Sequence, residues 1–173
     1  MARPAVRNRI VLHPGSGDQK KNHPPGFWLK ILESLSQKAA CRGLTPVVLL
    51  GPAEEHLRSF FEKNLRSTRA EIRFCPEKDK LIGILRQAAL YIGHDSGITH
   101  LAAMLGAPTV ALFKGSNADQ WSPLGPDVRV IQDNNPAFST LLPPSLPQER
   151  DTRRSGPARR DPTMISKDMR LVV

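Results

Sequence analysis

Cysteine is scarce in this sequence, and the features of a membrane or secreted protein are missing. The 173 residues include two cysteines, Cys41 and Cys75, which lie far apart without metal-ligand spacing, so we expect reduced, partly buried thiols. No apolar run approaches the roughly 20 residues of a membrane-spanning helix. The apolar stretch at residues 10–12 is too short for a signal peptide. These absences predict a cytoplasmic protein, and the length of 173 residues predicts one ordinary domain.

Aromatic and acidic residues are also few. Aromatic residues make up 5% of the chain and no nucleic-acid-binding motif is present, which argues against a nucleic-acid partner. Lys and Arg total 25 against 16 Asp and Glu, for a formal net charge of +9. Residues 143–173 supply +3 of this charge, from seven basic and four acidic side chains. The rest suits a protein that handles phosphorylated ligands at the inner, anionic face of a membrane.

Short apolar runs alternate with amphipathic segments between residues 9 and 131. Strands are predicted at residues 9–13, 46–50, 71–75, 90–93, 108–113 and 128–131. Helices are predicted at residues 27–39, ended by Gly43, at 53–65, at 78–89, and after residue 97 to about 105. The alternation indicates an α/β fold, a Rossmann-like parallel sheet with helices on both faces. In such sheets ligands bind at the carboxyl ends of the strands, which points to the turns after residues 13, 50, 93 and 113.

The domain is expected to occupy residues 9–134, after a linker at residues 1–8. Residues 135–173 are rich in proline and arginine, which is typical of a flexible tail. A short terminal helix is predicted at residues 165–173, where it can dock back on the domain.

The first candidate site is HPGSGDQKKNHP at residues 13–24, which brings Ser16, Gly17, Lys20 and Lys21 to a strand-to-helix turn. Glycines let the backbone approach a phosphate, the following helix offers unpaired N–H groups, and a lysine adds a mobile charge. The segment is neither a Walker A loop nor GxGxxG. Taken alone, an ordinary turn explains it equally well.

The second candidate site, GHDSGITHLAA at residues 93–103, is more distinctive. Ser96 or Asp95 can cap the helix, Gly97 permits close approach of a ligand, and His100 lies one helical turn beyond Ser96. N–H groups at such a helix start suit a pyrophosphate. Without further information, a plain cap at Asp95 and a partly buried imidazole at His100 are favoured by roughly two to one.

Glu54, in the turn after the second strand, is a third candidate. Its carboxylate can accept hydrogen bonds from ribose hydroxyls, as the acidic residue does in dinucleotide folds. Complementing the positive end of a helix is the alternative, and by itself the better, interpretation.

Together these segments resemble a known family. HPGSG…KKNHP, then VVLLGPAEE, then YIGHDSGITHLAAMLGAPTVALF, in this order and spacing, are similar to the C-terminal donor-binding domain of glycosyltransferase family 9, which contains the lipopolysaccharide heptosyltransferases. The resemblance covers about residues 9–125. Its most specific part is DSGITHLAA, because the family carries D-[ST]-G-x-x-H-L-x-A there.

The resemblance implies half of a GT-B glycosyltransferase that binds a nucleotide sugar, ADP-heptose above all, for transfer to a lipopolysaccharide core acceptor. Transfer would invert the anomeric centre and use neither a metal nor a cofactor. Lys21 would be the catalytic residue, contacting the donor phosphates and stabilising the departing diphosphate. Glu54 would hold the ribose. The donor-binding residues implied are Ser16, Gly17, Lys20, Glu54, Asp95, Ser96, Gly97 and His100.

Three departures from the family matter. His23 stands where the family usually has tryptophan two residues after its lysine, which leaves both Lys20 and Lys21 open as that lysine. About eight residues precede the first strand, so we expect the acceptor domain, with the aspartate that would deprotonate the acceptor, to be absent or separately encoded. Family members tend to end in a helix that crosses back toward the first domain, of which residues 165–173 would be a remnant.

Three hypotheses follow from these observations. The chain is the donor half of an enzyme and inactive alone, or a non-catalytic module that captures a nucleotide sugar, or a relic of a split or truncated gene. The presence of Ser16, Lys21, Glu54, Asp95 and His100 argues against a relic that binds nothing. Oligomeric state and acceptor are not legible in the sequence.

Overall fold

Strands and helices alternate along the described chain, and every pairing between neighbouring strands is parallel. The computed structural model describes residues 6–74 and 76–133. The strands are β1 (Arg9–His13), β2 (Thr45–Leu50), β3 (Glu71–Phe74), β4 (Ala88–His94), β5 (Thr109–Phe113) and β6 (Val128–Gln132). The helices are α1 (Pro25–Gln37), α2 (Arg58–Leu65), α3 (Lys78–Arg86), α4 (Gly97–Met104) and α5 (Ala118–Trp121). The sheet order β3-β2-β1-β4-β5-β6 confirms the predicted Rossmann-like fold.

Helices cover both faces of the sheet, and the side chains of each strand reach both layers because they point alternately to opposite faces. In β1, Ile10 and Leu12 belong to one core cluster, with Trp28 of α1 and Phe61 of α2. Val11, between them, belongs to a second cluster on the other face. The second cluster includes residues of α3 and α4, among them Leu85 and Ala102. The near-continuous apolar runs of the central strands are therefore buried from both sides.

Helix α1 begins where its two prolines favour it and ends before the predicted position. Pro24 is the N-cap and Pro25 the first helical residue, where a missing N–H costs little. The buried face has the predicted spacing: Phe27, Trp28, Ile31 and Leu35. The helix stops at Lys38, which takes an extended conformation, and a 3₁₀ turn at Ala39–Cys41 follows. Gly43, with φ of +84°, comes after that turn and does not end the helix as predicted.

The helix predicted at residues 53–65 consists of two elements. A 3₁₀ segment, Pro52–Leu57, precedes α2. In this tighter segment Glu54 turns inward and is buried, and its carboxylate accepts a hydrogen bond from the Gly51 N–H at 2.8 Å. The carboxylate thus satisfies an N–H group that the start of a helix leaves unpaired.

The boundary between α3 and β4 also differs from the prediction, which placed residues 88 and 89 in the helix. Ala88 pairs with Arg9 of β1 and is fully buried. The N–H groups of Asn8 and Arg9 donate to the Gln87 carbonyl at 3.0 and 3.1 Å. Sheet pairing therefore overrides the helix preference of alanine. Helix α5 was not predicted, because a single turn has too few residues to show a period.

Some expectations lie outside the described residues: the state of Cys75, the tail at residues 135–173 and its terminal helix. Cys41, by contrast, is described and is a buried, free thiol, as expected. Within residues 6–74 and 76–133, no helix combines the length and apolar character needed to cross a bilayer.

Candidate functional site

The strand order reverses between β1 and β4, and this reversal locates the candidate site. His13, the last residue of β1, pairs with Gly93, one residue before the end of β4. The loops after these strands therefore leave the sheet side by side at its carboxyl edge, the edge formed by the carboxyl ends of the strands. In open α/β sheets the crevice between two such loops is where ligands bind.

Ser16 organises the loop after β1. It is buried, and its hydroxyl oxygen lies 2.7 Å from both the Asp18 carbonyl oxygen and Asn22 Oδ1. The Asp18 side chain accepts a hydrogen bond from the Lys20 N–H at 3.0 Å and so caps the 3₁₀ turn Gln19–Lys21. These contacts fold the loop back on itself, which positions the two lysines that it carries.

The two lysines of this loop have different surroundings. Lys21 extends across to the loop after β4, where its Nζ lies 2.9 Å from Asp95 Oδ2. The Lys21 side chain is 33% exposed and that of Asp95 only 11%. Lys20 is exposed. An ammonium group has three N–H donors, and Asp95 uses one of them. Lys21 is therefore the lysine that the fold brings into the crevice.

Ser96, and not Asp95, caps α4. The Ser96 hydroxyl accepts from the Thr99 N–H at 3.4 Å and lies 3.1 Å from Thr99 Oγ1. The plain-cap interpretation of Asp95 is therefore wrong. The Asp95 carboxylate lies between Lys21 and His100, whose Nε2 is 3.9 Å from Asp95 Oδ1. His100 is half-buried, and its contact with Asp95 joins it to the site.

The glycines around the crevice are of two kinds. A Cβ on Gly97 or Gly17 would have no atom within 4 Å, so their backbone faces open space. A Cβ on Gly93 would lie 2.6 Å from the Tyr91 hydroxyl oxygen and 2.9 Å from Thr99 Oγ1. Gly93 is thus required for packing, whereas Gly17 and Gly97 leave their backbone open to a ligand. Their roles in binding stay predictions.

Glu54 lies below the crevice and not on its surface. Its side chain is 5% exposed, and a Cβ on Gly15 would lie only 1.8 Å from Glu54 Oε1. Glu54 Oε2 accepts the hydrogen bond from the Gly51 N–H at the start of the 3₁₀ segment. The alternative favoured from the sequence, a carboxylate that complements a helix start, therefore describes the contacts of Glu54 in this structure. To bind a ribose, Glu54 would have to turn outward. That role stays a prediction.

Two buried histidines lie beneath the loops. Burial lowers the pKa of His13 to about 4. Burial, with further lowering from the neighbouring His23 and His13, brings the pKa of His94 to about 3. Both imidazoles are therefore neutral at pH 7. The contact of 3.8 Å between His13 Nε2 and Glu54 Oε2 is consequently not an ion pair at that pH.

His23, which replaces the family's usual tryptophan, makes contacts that the sequence did not reveal. The backbone N–H of His23 donates to His94 Nε2 at 3.0 Å, and the ring atom Nδ1 of His23 lies 2.8 Å from the same nitrogen. Its Nε2 lies 2.9 Å from Asp133 Oδ1. The ring also stacks on Phe27, with centroids 4.4 Å apart. His23 thus packs as an aromatic residue and also joins the loop after β1 to the residue that follows β6.

Lys114 is a second basic residue of the site, beside Lys21, and it was not among the residues predicted from the sequence. Its ammonium donates to the Asn22 carbonyl at 3.4 Å, beside Lys21. Lys114 directly follows β5, and Asp133 directly follows β6. The rule that ligands bind at the carboxyl ends of strands points to the turn after β5, although Lys114 itself was not singled out there. Applied also to β6, the same rule would have pointed to Asp133.

The carboxyl edge gathers groups that can hold an anion. Lys21 and Lys114 supply positive charge, and the start of α4 offers unpaired N–H groups. The Ser16 hydroxyl is buried and hydrogen-bonded within its own loop, so its role in binding stays a prediction. The fold and this site define a Rossmann-like nucleotide-binding type of domain, whose switch point carries a crevice suited to phosphate oxygens.

A family model described as glycosyltransferase family 9 (heptosyltransferase) matches residues 2–142. The chain belongs to this family. This match confirms the resemblance of residues 9–125 to the family.

Solved structures agree on the fold. The glycosyl transferase family 9 protein of Veillonella parvula superimposes with a TM-score of 0.62 and 20% identity, over 76% of this chain and 36% of its own. E. coli heptosyltransferase WaaC with ADP superimposes with a TM-score of 0.64 and 16% identity, over 76% of this chain and 39% of its own. E. coli ADP-heptose LPS heptosyltransferase II superimposes with a TM-score of 0.63 and 20% identity, also over 76% of this chain and 39% of its own.

This chain thus spans well under half the length of these structural relatives. A search of curated proteins finds no significant match.

Proposed function

We propose that this chain is the donor-binding half of a heptosyltransferase-type glycosyltransferase, and that it binds a nucleotide sugar, in the first instance ADP-heptose. Family membership supports a transferase. Two structural relatives are E. coli heptosyltransferases, one of them solved with ADP. The observation that carries the proposal is the Lys21–Asp95 pair, which joins the two loops at the switch point of the sheet.

In the proposed complex the diphosphate lies against the start of α4. The open backbone of Gly97 lets phosphate oxygens reach the N–H groups of the first turn. Lys21 keeps one N–H on Asp95 and directs the others at the phosphates, and Lys114 adds charge from the end of β5. Asp95 and His100 would hold the sugar hydroxyls, and Ser16 would approach a phosphate.

The proposed reaction is displacement at the anomeric carbon. The acceptor hydroxyl oxygen forms the new glycosidic bond, and the bond from the anomeric carbon to the diphosphate oxygen breaks with inversion. The electron pair leaves with the diphosphate, whose added charge Lys21 and the helix start stabilise without a metal. The proton of the acceptor hydroxyl goes to a base supplied by an acceptor domain.

The described domain is proposed to bind the donor without transferring sugar by itself, because none of the candidate donor-site residues is assigned as the base that takes the acceptor proton. With an acceptor domain, transfer to a lipopolysaccharide core at the inner membrane face would follow. A module that captures a nucleotide sugar and catalyses nothing is the alternative, and restoration of activity by such a domain separates the two.

Calorimetric titration with ADP, ADP-heptose and UDP-glucose tests the proposal. We expect saturable binding that prefers the adenine ligands. Failure of the folded chain to bind any of the three would contradict a donor site, and a preference for UDP-glucose would contradict the assigned donor.

Lys21→Ala provides the sharpest variant, because Lys20→Ala is its natural control. Both substitutions remove one positive charge from the same 3₁₀ turn, but only Lys21 contacts Asp95. We expect Lys21→Ala to weaken ADP-heptose binding by about tenfold or more, and Lys20→Ala by much less. Equal losses would mean that general charge, and not the placed ammonium, binds the donor.

A further inference from the structure

A cavity of about 610 Å³ lies at the other edge of the sheet, the amino edge, formed by the amino ends of the strands. Its walls include Ile10 near the start of β1, Pro46 near the start of β2, and Ala70 just before β3. The carboxyl-terminal ends of α1 and α2 complete it. Its volume lies within the range of about 300–1,000 Å³ that is usual for ligand pockets. None of the candidate donor-site residues lines it.

The interior of this amino-edge cavity is mostly aliphatic. The residues that supply apolar surface to it from α1, α2 and the segment before β2 are Leu29, Leu32, Leu35, Cys41, Leu44 and Leu65. Several of them also belong to the main core cluster, so the cavity opens directly onto the core. The hydroxyl and amide groups in its lining come from Ser36, Asn64 and Thr68. These are too few to pair the backbone N–H and C=O groups of a peptide chain, and each unpaired group is costly. An alkyl chain has no such groups.

Charge at the mouth of the cavity is predominantly positive. Arg42 follows the 3₁₀ turn after α1, and Arg69 follows α2, so two separate segments bring them to one rim. Both are exposed, and neither guanidinium has a hydrogen bond or ion pair within the described part of the chain. Glu33 is the acidic residue among the lining side chains. A guanidinium suits a carboxylate or phosphate because it can donate two parallel hydrogen bonds.

We propose that the amino-edge cavity binds a single-chain anionic amphiphile of the long-chain fatty acid class. The alkyl chain lies among the leucines, and the carboxylate lies at Arg42 and Arg69. This site is independent of the proposed donor site, so either can fail without the other.

The first test titrates the full chain with cis-parinaric acid, a fluorescent fatty acid, and then displaces it with hexadecanoate. We expect saturable binding that Arg42→Glu with Arg69→Glu weakens by about tenfold or more. Lys78→Glu with Arg86→Glu makes the same change of charge on α3, away from the cavity, and is expected to change affinity by less than about twofold. Absence of saturable binding, or equal losses in both double variants, overturns the proposal.

Cys41 provides a second test that does not depend on the arginine variants. It lines the cavity and is 7% exposed. In a Cys75→Ser chain it is the remaining cysteine, and we expect hexadecanoate to slow its alkylation by a small maleimide about fivefold or more. Alkylation that fatty acid leaves unchanged contradicts the proposal. ADP binding to the arginine variants should stay unchanged, which shows that the two sites are separate.

Discussion

At the carboxyl edge of the sheet, the charged pair Lys21–Asp95 joins two loops across a crevice. At the amino edge Arg9 is paired with Glu71, but Arg42 and Arg69, beside an apolar cavity, have no hydrogen bond or ion pair within the described part of the chain. Lys21 and Asp95 lie 2.9 Å apart at the first edge. The parallel connection of strands and helices explains much of this difference. It places helix starts at the carboxyl edge and helix ends, which favour positive side chains, at the amino edge. The same topology therefore produces two chemically different surfaces.

The largest expected effect is on stability at the carboxyl edge, through its buried histidines. In the unfolded chain imidazoles titrate near about 6.5. In the folded chain the pKa of His13 is about 4 and that of His94 about 3. Below about pH 6.5 the unfolded state therefore binds protons that the folded state does not, so the free energy of unfolding falls with pH. Between pH 7.5 and 5 we expect a loss of about 2 kcal/mol for each histidine.

Urea unfolding at several pH values measures this dependence. His94→Asn should reduce the slope of stability against pH between pH 5 and 6.5, whatever it does to stability at pH 7.5. His56→Gln is the control, because His56 is exposed. A wild-type stability that stays constant down to pH 5 would show that the two buried imidazoles do not resist protonation.

Gly15→Ala is expected to have the next largest effect, because it disturbs the packing under the crevice. The added Cβ would lie 1.8 Å from Glu54 Oε1, so the buried carboxylate would have to leave its hydrogen bond to Gly51. We expect a loss of about 2 kcal/mol in the free energy of unfolding. Gly17→Ala, two residues along the same loop and with nothing within 4 Å of its Cβ, is the control. Similar stabilities of the two variants would mean that Glu54 moves aside at little cost.

The carboxyl edge was predictable from the sequence to a large extent, and the amino edge was not. Apolar runs and turns predicted the strands and the parallel sheet, and the family resemblance assigned Lys21 and Asp95 to one donor site. The inward turn of Glu54 was not predictable, because it depends on space that Gly15 leaves for it. Nor was the partner of His23, since Asp133 lies 110 residues away. The amino-edge cavity arises from how two helix ends meet the sheet, which no local pattern encodes.

Asp95→Ala tests whether the carboxyl edge works as one unit. The substitution removes the partner of Lys21 and the carboxylate near His100, while the Ser96 cap keeps α4 in place. We expect donor binding to weaken by about tenfold or more, with an unfolding free energy within about 1 kcal/mol of wild type. Asp119→Ala, at an exposed acidic residue of α5, is the control. Wild-type affinity in folded Asp95→Ala would remove Asp95 from the site.

Deletion of residues 143–173 should have the smallest effect on donor binding. It tests whether the groups at the carboxyl edge account for donor binding by themselves. These residues carry +3 of the net charge of +9. If the diphosphate is held by Lys21, Lys114 and the start of α4, the tail can act only through longer-range attraction, which salt near 0.15 M screens beyond about 8 Å. The ADP affinity of the truncated chain, measured by calorimetry at that salt concentration, should therefore equal that of the full chain. A large loss at both low and high salt would place part of the tail in the crevice. A loss at low salt alone would leave the contacts of the crevice as proposed and assign the tail a role in attracting the anion.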